Sequence, residues 1–87
     1  MEVPNDAIKR IFDAIECNCC RDLLKGPDNN RFAISGYLLR LEDDGYISII
    51  GKTVYEGKYV DFINLEMTNN GRELHKWMKD DRKKLLF

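Results

Sequence analysis

The stretch ISGYLLRLEDDGYISII, residues 34–50, changes its pattern of apolar residues at Gly45. Before this glycine the apolar residues recur at the spacing of one helical face, and after it the aromatic and β-branched residues are typical of a strand. The helical positions are Ile34, Leu38 and Leu41. Glycine adopts the left-handed conformation at little steric cost and therefore ends many helices. The stretch predicts a helix over residues 31–44 that leads directly into a strand.

Two more helical segments precede this helix. The first is predicted to begin after Pro4, because Asn5 or Asp6 can accept hydrogen bonds from the unpaired amides of a first turn. Its apolar residues again have helical spacing: Ile8, Ile11, Phe12 and Ile15. The segment CCRDLLKGP, residues 19–27, predicts a second and shorter helix that stops at Gly26 and Pro27, because both residue types interrupt helices.

The part of the chain after Gly45 predicts a β-hairpin and a closing helix. Segments 46–54 and 58–68 alternate in polarity and indicate two antiparallel strands, with a turn near residues 55–58 where Gly57 can take a positive φ angle. Thr68 or Asn69 can cap a last helix. Its apolar face contains Leu74, Trp77 and Met78.

The composition predicts one small globular domain over residues 1–87, with an ordered core at about 5–80. Hydrophobic residues make up 44% and charged residues 33% of the chain, which are globular proportions. The formal net charge is −1, so any surface that binds nucleic acid must be a local one. The start MEVP lacks the profile of a signal peptide and no apolar run has the length of a membrane span, so we expect a cytoplasmic protein without membrane contact.

The order of these elements resembles a winged helix-turn-helix domain. In ISGYLLRLEDDGYIS, the pattern Ser35, Leu38, Leu41, Gly45, Tyr46 and Ile47 is similar to the recognition helix and first wing strand of many bacterial winged-helix proteins. In LEMTNNGRELHKW, the residues Leu65, Thr68, Gly71 and Leu74 resemble the L-x-x-T-x-x-G run that leads from the wing into the closing helix. Within the superfamily, the chain looks most like the small YjcQ-type proteins of bacilli and their phages. The resemblance implies an α+β fold with three helices, a two-stranded wing hairpin and a C-terminal helix.

The resemblance also implies binding to double-stranded DNA, as a transcriptional regulator or a phage accessory protein. Helix 31–44 would enter the major groove, and the hairpin at 51–58 would contact the neighbouring backbone. A helical projection leaves Ala33, Gly36 and Arg40 outward, so Arg40 can pair with guanine and a nearby asparagine with adenine. The lysines of the hairpin can meet phosphates. The candidate DNA-binding residues are Asn29, Asn30, Arg31, Ser35, Gly36, Arg40, Lys52 and Lys58.

Three acidic residues at the end of the same helix leave an alternative open. Glu42, Asp43 and Asp44 would repel phosphate if that end faced the duplex. The polar face of the helix then only supports the core, and the domain is a protein–protein interaction module that does not bind nucleic acid.

The cysteines Cys17, Cys19 and Cys20 lie within four residues of one another. Three thiolates can bind Zn²⁺, and their position before the proposed recognition helix is similar to the cysteine box of ArsR-type metal sensors. The chain departs from that box, because ECNCCRDLL has an asparagine between the first two cysteines and an extra cysteine after them. An odd number of cysteines also argues against a disulfide framework. We therefore expect free thiols packed at a helix junction, with no metal or other cofactor.

The sequence indicates no enzyme. His75 is the only histidine and has no serine or cysteine partner at a recognisable spacing, and no phosphate-binding loop is present. The closing helix offers more apolar surface than a small core needs, which predicts a homodimer through Trp77, Met78, Leu85, Leu86 and Phe87. In the alternative, Leu74 and Trp77 close the core and the last residues fray.

Overall fold

In the computed structural model, the described residues are 3–26 and 28–84, and the side chains of residues 28, 29 and 80–84 are not described. The helices are α1 (Asn5–Glu16), a 3₁₀ helix (Cys20–Leu24), α2 (Asp28–Asp43) and α3 (Asn69–Lys84). The strands are β1 (Ile47–Ile50), β2 (Thr53–Tyr55), β3 (Tyr59–Asp61) and β4 (Asn64–Met67). The described chain is thus a compact α+β unit with three α-helices and one hairpin. Within this part of the chain, no helix combines the length and the apolar character needed to cross a lipid bilayer.

The predicted helices are present, with small differences at their ends. Pro4 occupies the N-cap position of α1 and no side chain caps it, so the expected capping by Asn5 or Asp6 is wrong. The segment predicted as a second helix is the 3₁₀ helix, and Pro27 lies outside the described residues. Helix α2 begins at Asp28 instead of residue 31, so residues 28–30, which precede the predicted helix, belong to it.

The end of α2 confirms the prediction made for Gly45, whose φ angle is +84°. The Tyr46 amide donates to the Leu41 carbonyl at 2.9 Å and the Gly45 amide donates to the Glu42 carbonyl at 3.0 Å. These two bonds form a Schellman motif, which satisfies carbonyls that the helix leaves without partners. The left-handed glycine turns the chain directly into β1.

The hairpin consists of two short ladders and not of two continuous strands. Strand β1 pairs with β4, and β2 pairs with β3, both antiparallel. Between the ladders Gly51 has a φ angle of +67°, and a Cβ atom there would lie 2.6 Å from the side chain of Ile63. The buried side chains are those of Val60 and Phe62 before the break and that of Leu65 after it. Even-numbered positions point inward before the break and odd-numbered positions after it, so the phase of the alternation changes there. The tip falls at residues 56–58, as predicted.

The core lies between α1, α2 and the hairpin. Ile11 and Phe12 of α1 and Leu38 of α2 have no solvent exposure. Helix α1 packs against α2 on one side and α3 on the other. The residues predicted to face inward from α2 are buried, apart from Tyr37, which is half-buried at the edge of the core.

The junction between β4 and α3 explains the Thr68 and Gly71 positions of the sequence pattern. The Thr68 hydroxyl donates to the Gly45 carbonyl at 2.6 Å and accepts from the Gly71 amide at 3.1 Å, so it caps α3 and ties it to the end of α2. A Cβ atom at Gly71 would overlap the carbonyl oxygen of Tyr46. The absence of a side chain therefore lets α3 begin directly against the start of β1.

Candidate nucleic-acid interface

From its base to its tip, the hairpin runs along α2 in the direction opposite to that of the helix, as a series of contacts shows. Near the start of α2, the ring of Tyr59 lies 5.8 Å from the Arg31 guanidinium carbon and 6.0 Å from the Phe32 ring. One turn later, the Ser35 hydroxyl accepts a hydrogen bond from the Val60 amide at 3.0 Å. Near the end of α2, the carboxylate of Glu42 contacts the base of the hairpin. The hairpin tip and the N-terminal end of α2 therefore lie at the same end of the molecule.

The charged residues at this end include Arg31 and Lys58, together with the exposed Glu56 of the same turn, and exposed aromatic residues lie beside them. Arg31 is half-buried beside Tyr59, in the geometry of a cation–π contact, and its Nε atom is buried without a hydrogen-bond partner among the described residues. Lys58 is exposed in the turn at the tip. Phe32 and Tyr55 are each 49% exposed. The N-terminus of α2 adds the partial positive charge of its helix dipole here.

The opposite end of α2 holds the acidic residues that the sequence analysis singled out, and two of them are paired internally. The Glu42 Oε1 atom lies 2.6 Å from Lys52 Nζ, and its Oε2 atom accepts from the Ile49 amide at 3.0 Å. These hydrogen bonds, that of Lys52 first, hold the pKa of Glu42 below its usual value. Arg40 and Asp44 form an i,i+4 ion pair at 3.2 Å.

The predicted DNA-binding residues are thus divided between the two ends of α2. Lys52 and Arg40 lie at the acidic end, where each has a carboxylate partner. Arg31 and Lys58 lie at the hairpin-tip end. Asn30 also lies there, but its Nδ2 atom donates to the Lys25 carbonyl at 2.9 Å and ties the start of α2 to the preceding turn.

The placement predicted for Ser35 is wrong. Ser35 has no solvent exposure, and its hydroxyl satisfies the Val60 amide in the interior. A small polar side chain is needed where β3 crosses α2, because an unpaired amide in the interior would be destabilising. Gly36 is half-buried on the outer part of α2, and the side chain of Asn29 lies outside the described residues.

The cysteines also differ from the expectation of three free thiols. Cys17 and Cys19 form a disulfide, and only Cys20 is a free thiol, buried beside the core. Burial raises the pKa of the Cys20 thiol. The disulfide removes two of the three thiolates that the alternative zinc site would have used.

Sequence reasoning missed a cluster around His75, which it treated as a lone imidazole. The ring is buried, with Nδ1 at 2.7 Å from Glu16 Oε1 and Nε2 at 3.1 Å from Asp13 Oδ1. The three ligand atoms lie within 4.8 Å of one another, and all are types that bind divalent cations. However, the two ring nitrogens face different carboxylates, and Lys79 lies 3.1 Å from the same Glu16 oxygen. The cluster therefore joins α1 to α3 through the polar contacts of the His75 ring and the ion pair of Lys79 with Glu16.

The predicted dimer surface is described only in part. Trp77 is 59% exposed, so it does not close the core, whereas Leu74 and Met78 are half-buried and pack against it. Leu85, Leu86 and Phe87 lie outside the described residues.

Comparison with family models, with curated proteins and with solved structures gives no match for this chain.

Proposed function

We propose that this protein is a winged-helix DNA-binding domain, with α2 as the recognition helix and β2–β3 as the wing. The order of helices and strands supports this arrangement, and so do the two sequence patterns that resemble winged-helix proteins, the small YjcQ-type proteins among them. In the proposed complex the N-terminal half of α2 approaches the major groove and the hairpin tip approaches the adjacent phosphates. Its role would be that of a transcriptional regulator or phage accessory protein.

The observation that carries the proposal is the direction of the hairpin, which runs from its base to its tip toward the N-terminal end of α2. It puts Arg31, Lys58 and the helix N-terminus at one end, where each favours an anion. It also keeps Glu42 and Asp44 at the other end, where Lys52 and Arg40 neutralise them. The paired carboxylates of Glu42 and Asp44 therefore lie away from a duplex bound at the tip.

The test is a fluorescence titration of labelled duplexes, both random-sequence and genomic, at two salt concentrations. Lys58→Ala should weaken binding to every duplex and lower the salt slope by about one unit, because a phosphate contact carries no sequence information. Lys76→Ala, an exposed lysine on α3, removes the same charge away from the tip and should leave the slope unchanged. No saturable binding of the wild type to any duplex below about 100 μM would refute the proposal.

Arg40 lies outside the N-terminal half of α2 and is exposed, so it tests whether the groove contact extends to the other end of the helix. If its guanidinium reads a base, Arg40→Ala should weaken specific binding by about 1–3 kcal/mol. Asp44→Ala releases Arg40 from its ion pair and should strengthen the same interaction. If each variant changes the affinity for specific and for random duplexes by the same factor, Arg40 only stabilises the end of α2.

A protein-interaction module is the second candidate, and the exposed apolar residues near the tip favour it. Phe32, Val54 and Tyr55 are all more than two-fifths exposed, and aromatic side chains are common at the centres of protein interfaces. Should DNA binding fail, Tyr55→Ala would be compared with the wild type in a pull-down for protein partners. Loss of a partner in that variant alone would support the second candidate.

A further inference from the structure

An open groove lies on the side of the molecule formed by the end of α1, strand β4 and the start of α3. It has two adjoining compartments of about 500 Å³ and about 360 Å³, both in the range of small-molecule sites. Glu16, Met67 and Arg72 line both compartments, so the two form one continuous surface. Among the described residues, none that lines the groove belongs to α2 or to the hairpin tip, so the groove is distinct from the proposed DNA interface.

The smaller compartment has an excess of positive charge. Arg72, Lys76 and Lys79 line it from positions i, i+4 and i+7 of α3, which place them on one helical face. Its one carboxylate among the described residues is that of Glu16, which already pairs with Lys79 at 3.1 Å and with His75 at 2.7 Å. The charges around this compartment disfavour a metal cation and favour an anion.

The larger compartment runs along the edge of β4. Four consecutive strand residues, 64–67, line it. Alternate side chains of a strand point to opposite faces, so four consecutive residues can share a groove only at the strand edge.

The register shows which backbone groups point into this edge. The Thr68 amide donates to the Tyr46 carbonyl at 3.1 Å, so the next pair, Ile47 with Met67, is a non-hydrogen-bonded pair, and so is Ile49 with Leu65. Consistent with this, the Ile49 amide donates to Glu42 and not to β4. The backbone groups of Leu65 and Met67 therefore point away from β1. Those of Leu65 face the buried Cys20 thiol, so Met67 is the residue whose backbone groups are directed toward the groove.

We propose that this groove binds a nucleoside 5′-monophosphate, with its phosphate between Arg72 and Lys76 and its base along the edge of β4. A dianionic phosphate matches the cations of the smaller compartment, and Arg72 can bind it with two parallel hydrogen bonds. The base has hydrogen-bonding groups that match the strand backbone and the amides of Asn18 and Asn64, and a planar apolar face that matches Ile15 and Met67. A ligand of this class uses both compartments, whereas free phosphate uses only one.

The test is isothermal titration calorimetry with the four ribonucleoside 5′-monophosphates, and with adenosine and inorganic phosphate as the two halves of one of them. At least one monophosphate should bind at least about tenfold more tightly than adenosine or inorganic phosphate alone, because it makes both sets of contacts. Arg72→Ala and, separately, Lys76→Ala should weaken that binding about tenfold. Lys58→Ala at the hairpin tip is the matched control and should bind like the wild type. In ¹H–¹⁵N spectra, the ligand should shift the amide of Met67.

Three results would overturn the proposal. The first is that none of the four monophosphates binds with a dissociation constant below about 10 mM. The second is binding of inorganic phosphate as tight as that of every monophosphate. The third is unchanged affinity in both the Arg72→Ala and Lys76→Ala variants. None of these results bears on DNA binding, which depends on Lys58 and the other face of the molecule.

Discussion

Gly71→Ala should destabilise the protein, although alanine is a better helix former than glycine. The propensity gain inside a helix is about 1 kcal/mol. Against it, the new methyl group would overlap the Tyr46 carbonyl oxygen and lie 3.0 Å from the carbonyl carbon, whereas comfortable carbon–carbon contacts are about 3.5–4.0 Å. Because backbone occupies the space, α3 and the start of β1 must separate.

That separation affects hydrogen bonds as well as packing. Overpacking of a tight site costs about 1–3 kcal/mol. The movement also strains the Thr68 amide bond to Tyr46 and the Thr68 hydroxyl bond to Gly45, each contributing about 1 kcal/mol. After subtraction of the propensity gain, we expect a net loss of about 2–4 kcal/mol in the free energy of unfolding.

The measurement is urea unfolding followed by far-ultraviolet circular dichroism. Asn70→Ala is the matched control, because it places alanine at the neighbouring exposed position of the same helical turn, and its stability should stay within about 0.5 kcal/mol of the wild type. If Gly71→Ala is as stable as Asn70→Ala or more so, the close approach of α3 to Tyr46 is wrong.

Three further predictions concern stability. Leu38→Ala removes a fully buried side chain and should cost about 2–5 kcal/mol in urea unfolding; a loss well below 1 kcal/mol would contradict its burial. Ser35→Ala should cost about 1–3 kcal/mol, since it leaves the buried Val60 amide unpaired, and an unchanged urea midpoint would restore a surface role for Ser35. The folded-state pKa of Glu42 lies below its usual value, so its carboxylate stabilises the fold at neutral pH and this contribution is lost as pH falls through the folded pKa. The stability difference between the wild type and Glu42→Gln should therefore shrink from about pH 7 to about pH 3; a difference that stays constant would show that the ion pair with Lys52 does not couple to folding.

The sequence predicted which residue types could form the candidate interface, but not where each of them lies in the fold. The projection of α2 placed Arg40 outward, and Arg40 is exposed in the structure. Ser35 was also predicted to bind DNA, but the hairpin covers its side of the helix and buries it. A helical projection contains no information about the element that packs across the helix.

Local sequence determined the helices and the end of α2. The spacing of Ile34, Leu38 and Leu41 specifies one buried face, and Gly45 permits the left-handed turn that closes the helix, because both effects involve residues within two turns of one another. The hairpin tip was equally predictable from Gly57. These features need no distant partner.

Tertiary structure alone decided the features that join distant parts of the chain. The change of phase in the hairpin depends on the contact of Gly51 with Ile63 across the ladder, and the buried cluster of His75 depends on carboxylates about sixty residues earlier in α1. The direction of the hairpin along α2, which separates the cations of the tip from the acids at the helix end, is fixed by contacts such as that of Ser35 with Val60. A sequence pattern records which residues could be buried or paired, but the partner of each is set by how the elements pack, because burial and pairing are properties of the whole fold.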